Sequence, residues 1–332
     1  MCSLYYIPYT IYYITIYSLM FFFWIIVFCI SLAVLVKAAD FLVASARVMG
    51  LALGLSSFIV GVLIVGMGTS LPELIAALAG VIQGIPEIVV ANAVGSNVTN
   101  IFLIVGISTL AGRLLTVAKD LIDLDLPLLF SGTALFFVTV SDGVIVFSEA
   151  VILIIGYVIY VLYTLYHKEG EDIHDGVWPN IRPKIKTQDI VRFLVGIIGL
   201  IVGARYLVNS VVMISDLLQI GTSVITLTAV ALGTSLPELI VSARAAYKGH
   251  SEVALGNIFG SNMFNILVVT GVPGLFTILP VDTATVRIGI PFLILATVLF
   301  VISGISKRIY MWEGAFYILL YILFLSKLFA WF

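Results

Sequence analysis

Long apolar blocks separated by short polar segments make up most of this chain. Clear examples lie at 21–36, 126–140, 150–165 and 291–303. A helix needs roughly 20 mostly apolar residues to cross a bilayer, and no block alternates with the period of two that is typical of a barrel strand. The pattern therefore predicts membrane-spanning α-helices.

The pattern predicts ten spans, which lie at about 21–46, 57–83, 87–111, 122–140, 147–166, 190–215, 222–247, 252–276, 285–304 and 309–330. Residues 1–20 are rich in Tyr and Ile and are interpreted as an N-terminal apolar or interfacial segment, although a misassigned start codon fits equally well. One long polar stretch, 167–189, divides the chain into halves of five spans each, 21–166 and 190–332.

Composition agrees with a membrane protein. Of the 332 residues, 62% are hydrophobic and 10% are charged, whereas soluble domains carry about 25% charged residues. The net charge of −2 argues against a nucleic-acid partner. The two cysteines, Cys2 and Cys29, make neither a disulfide framework nor a metal cluster. The partner implied by the sequence is the lipid bilayer.

The two halves repeat each other at an offset of 165 residues. Residues 68–75 and 233–240 both read GTSLPELI, and 91–100 (ANAVGSNVTN) aligns without a gap to 256–265 (GNIFGSNMFN). Because each half has an odd number of spans, the second copy enters the membrane from the opposite side. The predicted fold is an all-α integral membrane protein of about ten helices in two inverted-topology five-helix repeats, with broken helices at the ion site and with the repeated segments at about 57–111 and 222–276.

The distribution of basic residues predicts the orientation. With both termini external and the central loop cytoplasmic, only Arg287 and Lys327 lie outside, and Lys37 and Arg205 lie within spans. Twelve basic residues then lie on the cytoplasmic side, a strong positive-inside bias: Arg47, Arg113, Lys119, Lys168, Arg182, Lys184, Lys186, Arg192, Arg244, Lys248, Lys307 and Arg308.

Glu73 and Glu238 are the strongest functional candidates, because an acid inside a membrane span is costly and usually functional. Each follows a proline, Pro72 or Pro237, which lacks an N–H and clashes with the carbonyl four residues back. The helices should therefore break there, leaving carbonyl oxygens in a protein-lined or polar cavity. The alternative is a pair of structural acids satisfied by hydrogen bonds.

The surrounding side chains offer oxygen donors on shared helix faces. Four pairs are spaced i, i+4: Thr69 with Glu73, Thr234 with Glu238, Ser96 with Asn100, and Ser261 with Asn265. Ca²⁺ takes six to eight oxygens in flexible geometry, whereas Mg²⁺ dehydrates reluctantly. Softer metals would need Cys or His, and these motifs contain neither. Two carboxylates also match the charge of one Ca²⁺.

At these motifs the sequence resembles the sodium/calcium exchanger family of the Ca²⁺/cation antiporter superfamily, and its prokaryotic members in particular, because the central loop is short. The resemblance implies that Glu73 and Glu238 coordinate Ca²⁺ centrally. It implies further ion ligands or polar neighbours at Thr69, Thr234, Ser70, Ser235, Ser96, Ser261, Asn100 and Asn265, and backbone carbonyl ligands at Gly66 and Ala231.

The expected function is secondary antiport of Na⁺ against Ca²⁺ by alternating access. Some K⁺-dependent family members carry Asp where this chain has Asn100 or Asn265, so exchange is expected to be K⁺-independent, and electrogenic. The alternatives are a Ca²⁺/H⁺ antiporter and a cation channel. An intramembrane enzyme is disfavoured because the chain shows no HExxH motif and no nucleotide loop. No cofactor is expected beyond the transported ions. The oligomeric state is left open, and a monomer is compatible.

One further expectation concerns charges in the first and sixth spans. Lys37 and Asp40 lie three residues apart, and Arg205 occupies the repeat position equivalent to Asp40. Either an ion pair joins the two helices, or each side chain extends to the membrane surface.

Overall fold

The computed structural model describes residues 6–329 except 56, 83, 118–125, 168–183 and 218–232. The α-helices of this part of the chain are α1 (Tyr6–Leu53), α2 (Ser57–Ile59), α3 (Met67–Thr69), α4 (Leu71–Ile82), α5 (Glu87–Val98), α6 (Val105–Gly112), α7 (Leu126–Thr139), α8 (Phe147–His167), α9 (Thr187–Leu217), α10 (Leu236–Tyr247), α11 (Ser251–Phe264), α12 (Gly271–Gly274), α13 (Ile290–Ile305) and α14 (Met311–Leu328). Wider π-helical turns occupy Val60–Gly66, Thr99–Ile104, Asn265–Val269 and Thr285–Gly289.

The described residues contain eight helical stretches that are long and apolar enough to cross a membrane. They are Ser18–Gly50, Val60–Ile82, Glu87–Gly112, Phe147–Leu165, Thr187–Ile214, Ser251–Gly274, Thr285–Ile305 and Met311–Leu328. Helix α7 is apolar but shorter, and residues 222–232 of the predicted span at 222–247 lie outside the described residues. The prediction of an α-helical multi-pass membrane protein is confirmed, and the count of ten spans stays a prediction.

Helix α1 runs without interruption for 48 residues, so the predicted boundary between residues 20 and 21 falls inside a helix. Its second half packs along α9, where glycines permit close approach. A Cβ atom on Gly196 would lie 2.9 Å from the backbone nitrogen of Leu42, and one on Gly199 would lie 2.8 Å from the Cβ of Ala38. Small residues at such contacts favour helix association in lipid.

The prediction of an ion pair between α1 and α9, from Asp40 to Arg205, is wrong. Asp40 accepts hydrogen bonds from Arg244 Nε at 2.8 Å and Nη2 at 3.2 Å, and from Lys248 Nζ at 2.7 Å. The carboxyl end of α10 reaches back to α1 and supplies both cations, whereas Arg205 is exposed on α9. Repeat equivalence relates Asp40 to Arg205 in sequence, but it does not bring their side chains together.

Two short antiparallel strand pairs join loops from the two halves. Strand β1 (Leu114–Thr116) pairs with β4 (Arg308–Tyr310), and β2 (Val144–Ile145) pairs with β3 (Leu279–Pro280). Each pair must lie at one membrane surface. Both pairings join loops that the basic-residue distribution assigns to the same side.

Helix α11 lies at the centre of the molecule, with nearly all of its residues buried. It packs against the π-helical turn Val60–Gly66 so closely that side chains are excluded. A Cβ atom on Gly260 would lie 2.2 Å from the Val62 carbonyl oxygen, and one on Gly61 would lie 3.0 Å from the Gly256 Cα. This contact places the second GSN segment beside the helix that leads into the first GTSLPE segment.

Candidate functional site

Both GTSLPE segments interrupt their helices, as their prolines predict. Helix α3 ends at Thr69, Ser70 takes φ −88° and ψ 4°, and α4 begins with the next residue. Ser235 has nearly the same backbone, φ −87° and ψ 4°, directly before α10. Because proline lacks an N–H, the preceding turn cannot continue its hydrogen bonds. Each acid therefore lies in the first turn of a new helix.

The two acids are buried and are bonded across the halves in a reciprocal manner. Glu73 is 0% exposed and Glu238 is 1% exposed. Ser70 Oγ donates to Glu238 Oε1 at 2.8 Å, and Ser235 Oγ donates to Glu73 Oε1 at 3.5 Å. The Oε2 atom of each acid is buried without a hydrogen-bond partner among the described residues. The serine of each helix break thus contacts the acid of the other.

A second group of predicted residues meets beside the acids. Thr69 Oγ1 lies 3.1 Å from Asn257 Oδ1, 3.3 Å from the Gly66 carbonyl oxygen and 3.5 Å from Ser261 Oγ. Ser261 Oγ donates to the same Gly66 carbonyl at 3.3 Å. The first helix break and the second GSN segment therefore share one polar surface.

The other predicted ligands are buried polar groups around this centre. The side-chain polar atoms of Ser96, Asn100, Thr234 and Asn265 are buried and make no hydrogen bond within the part of the chain that the structure describes. Helix α4 packs against the π-helical turn that contains Asn265, and α10 packs against the turn that contains Asn100. Ala231 lies outside the described residues.

Sequence reasoning did not assign Asn257 and Ser242 to this site. Asn257 is fully buried, and its Nδ2 donates to Ser242 Oγ at 2.7 Å and to the Glu238 carbonyl at 3.4 Å. A signal was present, because Asn257 has an identical partner, Asn92, in the first copy. Ser242 gave no such signal, since its equivalent residue is Ala77.

The arrangement suits a hard cation. Among the described residues there is no group of three or more His, Cys, Asp or Glu that could hold a metal, so the donors are two carboxylates, hydroxyls, amides and carbonyls. Such oxygens are the ligands that Ca²⁺ prefers. Buried carboxylate oxygens need a partner, and a cation between the two acids would provide one.

Three comparisons with known proteins all find similarity to sodium/calcium exchangers. A family model described as "Sodium/calcium exchanger protein" matches residues 23–166 and 189–330. Sodium/calcium exchanger MaX1 of Methanosarcina acetivorans is 30% identical over 92% of this chain and 98% of its own length. A putative antiporter, CaxA of Alkalimonas amylolytica, is 34% identical over 73% of this chain and 77% of its own. A solved structure of the sodium-calcium exchanger NCX_Mj, soaked with zero Na⁺ and Ca²⁺, superposes with a TM-score of 0.80 at 29% identity, covering 92% of this chain and 98% of that one.

Proposed function

The chain belongs to the sodium/calcium exchanger family, and from that premise we propose that it is a secondary antiporter that exchanges Na⁺ for Ca²⁺ across the membrane by alternating access. The proposal includes two inverted five-helix repeats, 21–166 and 190–332, with the cation between them. Membership of a transporter family, rather than an enzyme family, agrees with a site that offers oxygen ligands in place of a nucleophile.

One observation carries the proposal: each of the two buried acids accepts a hydrogen bond from the serine in the helix break of the other half. Ser70 contacts Glu238 and Ser235 contacts Glu73, while the second oxygen of each acid has no partner among the described residues. Two carboxylates balance one Ca²⁺. Two ionised acids without a cation would repel each other in a low-dielectric site, so the acids favour an occupied site.

Exchange is proposed to be electrogenic and independent of K⁺. The hydroxyl and amide groups beside the acids provide further oxygens for monovalent ions. If more than two Na⁺ exchange for one Ca²⁺, net charge crosses the membrane, and the rate responds to voltage by about 2.3 kcal/mol per charge per 100 mV. Asn100 and Asn265 supply no third carboxylate to balance K⁺.

The orientation is also a proposal: both termini external and the central loop 167–189 cytoplasmic. The basic residues support this orientation, and the pairings β1–β4 and β2–β3 support the assignment of each loop pair to a common side. Single cysteines at Asp142 and Asn180, on a background without Cys2 and Cys29, test it. A membrane-impermeant thiol reagent applied to intact cells should label position 142 and not 180. The opposite result reverses the orientation.

The test of exchange is Ca²⁺ uptake by vesicles that contain the purified protein. An outward Na⁺ gradient should drive uptake, and an ionophore-clamped membrane potential should change its rate, with K⁺ present or absent. Glu73→Gln provides the inactive control for leak. The Na⁺ gradient and a pH gradient are first imposed separately.

The outcomes separate the alternatives. Uptake that needs a Na⁺ gradient, responds to voltage and ignores K⁺ supports the proposal. Uptake driven only by a pH gradient would identify a Ca²⁺/H⁺ antiporter. Ca²⁺ entry without any counter-ion gradient would identify a channel, and a strict need for K⁺ would refute the argument from the two asparagines.

A further inference from the structure

The amide of Asn257 joins the two halves of the polar centre in a defined orientation. Its Nδ2 lies 3.4 Å from the Glu238 carbonyl oxygen and 2.7 Å from Ser242 Oγ, while its Oδ1 lies 3.1 Å from Thr69 Oγ1. A backbone carbonyl only accepts hydrogen bonds. Turning the amide over would place two acceptors against each other, so the Oδ1 atom must face Thr69.

This orientation determines what the Thr69 hydroxyl can do. Since Asn257 Oδ1 only accepts, the hydroxyl donates its proton to it, and the lone pairs of Oγ1 point elsewhere. A hydroxyl can ligate a cation only through a lone pair. The alternative acceptors are the Gly66 carbonyl oxygen, which lies farther away at 3.3 Å, and the Glu238 carboxylate, which pairs with the cation when the site is occupied. Asn257 therefore prepares Thr69 as a cation ligand.

The equivalent positions of the other copy lack this arrangement. Asn92 takes the place of Asn257, Thr234 that of Thr69, and Ala77 that of Ser242. Without a serine at position 77, Asn92 Nδ2 has no hydrogen-bond partner among the described residues, and neither has Thr234 Oγ1. Within the described residues, an amide oxygen orients the Thr69 hydroxyl, whereas no amide oxygen does so for Thr234, which faces Glu73.

We propose that Asn257 is a positioning residue which, held by Ser242, directs the Thr69 oxygen toward the transported cation and so makes the two halves of the site unequal. This rests on the proposed function. A ligand that is oriented before binding costs less to order when the ion arrives. The Thr69 side should therefore contribute more to Ca²⁺ affinity than the Thr234 side.

The test measures Ca²⁺ binding to the purified full-length chain by calorimetry. Asn257→Ala should weaken Ca²⁺ affinity roughly tenfold, the value of about one oriented hydrogen bond near a charge. Ser242→Ala should weaken it by a smaller factor. Asn92→Ala, the matched control, should stay within about twofold, since its amide nitrogen makes no hydrogen bond to a described residue.

A double-mutant cycle distinguishes positioning from general packing. Thr69→Val removes the hydroxyl and keeps the shape. In that background Asn257→Ala should cost less than about twofold, because its effect passes through the missing hydroxyl. Additive losses, or equal losses for Asn257→Ala and Asn92→Ala, overturn the proposal.

Folding and transport are checked separately. If Asn257→Ala does not yield folded protein, Ser242→Ala removes a single oxygen and enters the same cycle with Thr69→Val. Na⁺-driven Ca²⁺ uptake by the unmodified protein is measured in parallel. Its absence, with the binding cycle intact, refutes the exchange proposal and leaves the positioning role standing. A cycle without coupling, together with normal uptake, refutes the positioning role and leaves the exchange proposal standing. If the unmodified chain binds no Ca²⁺, both proposals are refuted.

Discussion

Replacing Glu73 or Glu238 with glutamine should nearly abolish Ca²⁺ transport. Each substitution keeps the side-chain shape and removes one of the two charges at a position that is at most 1% exposed. The serine that contacts each acid, at 2.8 Å for Glu238 and 3.5 Å for Glu73, can still donate to an amide oxygen. The change is therefore mainly one of charge.

The size of the loss follows from burial. Two unit charges 4 Å apart attract by about 4 kcal/mol at an effective dielectric constant of 20, and removing one partner of a buried pair costs about 3–5 kcal/mol. Taking about 3 kcal/mol, Ca²⁺ affinity falls by at least roughly a hundredfold, since about 1.4 kcal/mol is a factor of ten.

The assay combines Ca²⁺ binding to purified protein with Na⁺-driven uptake into vesicles at matched protein density. Glu87→Gln is the matched control, because Glu87 is exposed in the first turn of α5 and its charge contributes only about 0.3–1 kcal/mol to the helix. Its uptake should be close to normal. Uptake within about threefold of normal in either buried variant would refute the assignment of both acids.

Three further results are expected. Ser70→Ala should weaken Ca²⁺ binding more than Ser235→Ala, because the Ser70–Glu238 hydrogen bond, at 2.8 Å, is shorter than the Ser235–Glu73 hydrogen bond, at 3.5 Å. Equal losses in calorimetry would contradict this. Gly260→Ala should lower the thermal unfolding midpoint, at a cost of roughly 1–3 kcal/mol, since the new Cβ would lie 2.2 Å from a backbone oxygen; an unchanged midpoint would contradict the close contact between α11 and the turn Val60–Gly66. Asp40→Asn should cost roughly 1 kcal/mol of stability, because its partly exposed carboxylate loses two ion pairs; an unchanged midpoint would show that these pairs do not stabilise the fold.

The sequence was sufficient for the fold class and for the acids. Long apolar blocks require helices in lipid, and a proline before a membrane-embedded acid requires a helix break, so Glu73 and Glu238 could be placed at the ends of broken helices. Their cross-bonding to Ser235 and Ser70 could not, because repeat equivalence gives corresponding positions and no distances.

The same limit explains what sequence reasoning missed. Asp40 pairs with the end of α10, since packing between distant helices decides which charges meet. The role of Ser242 could not be derived from the repeat, because it arises where the two copies differ, at Ala77. Differences between the copies carry information that their similarity does not.

The cross-bonding of the acids also has a consequence for the synthesis of the protein. Ser235 follows Glu73 by 162 residues, so at about 5–20 residues per second the ribosome needs roughly 8–32 s to make it. During that time Glu73 lies in a nascent half that lacks its partner. A charged acid at the centre of a bilayer costs about 2.5–3.5 kcal/mol or more. Until the second half has been inserted beside the first, Glu73 must therefore be protonated or in contact with water.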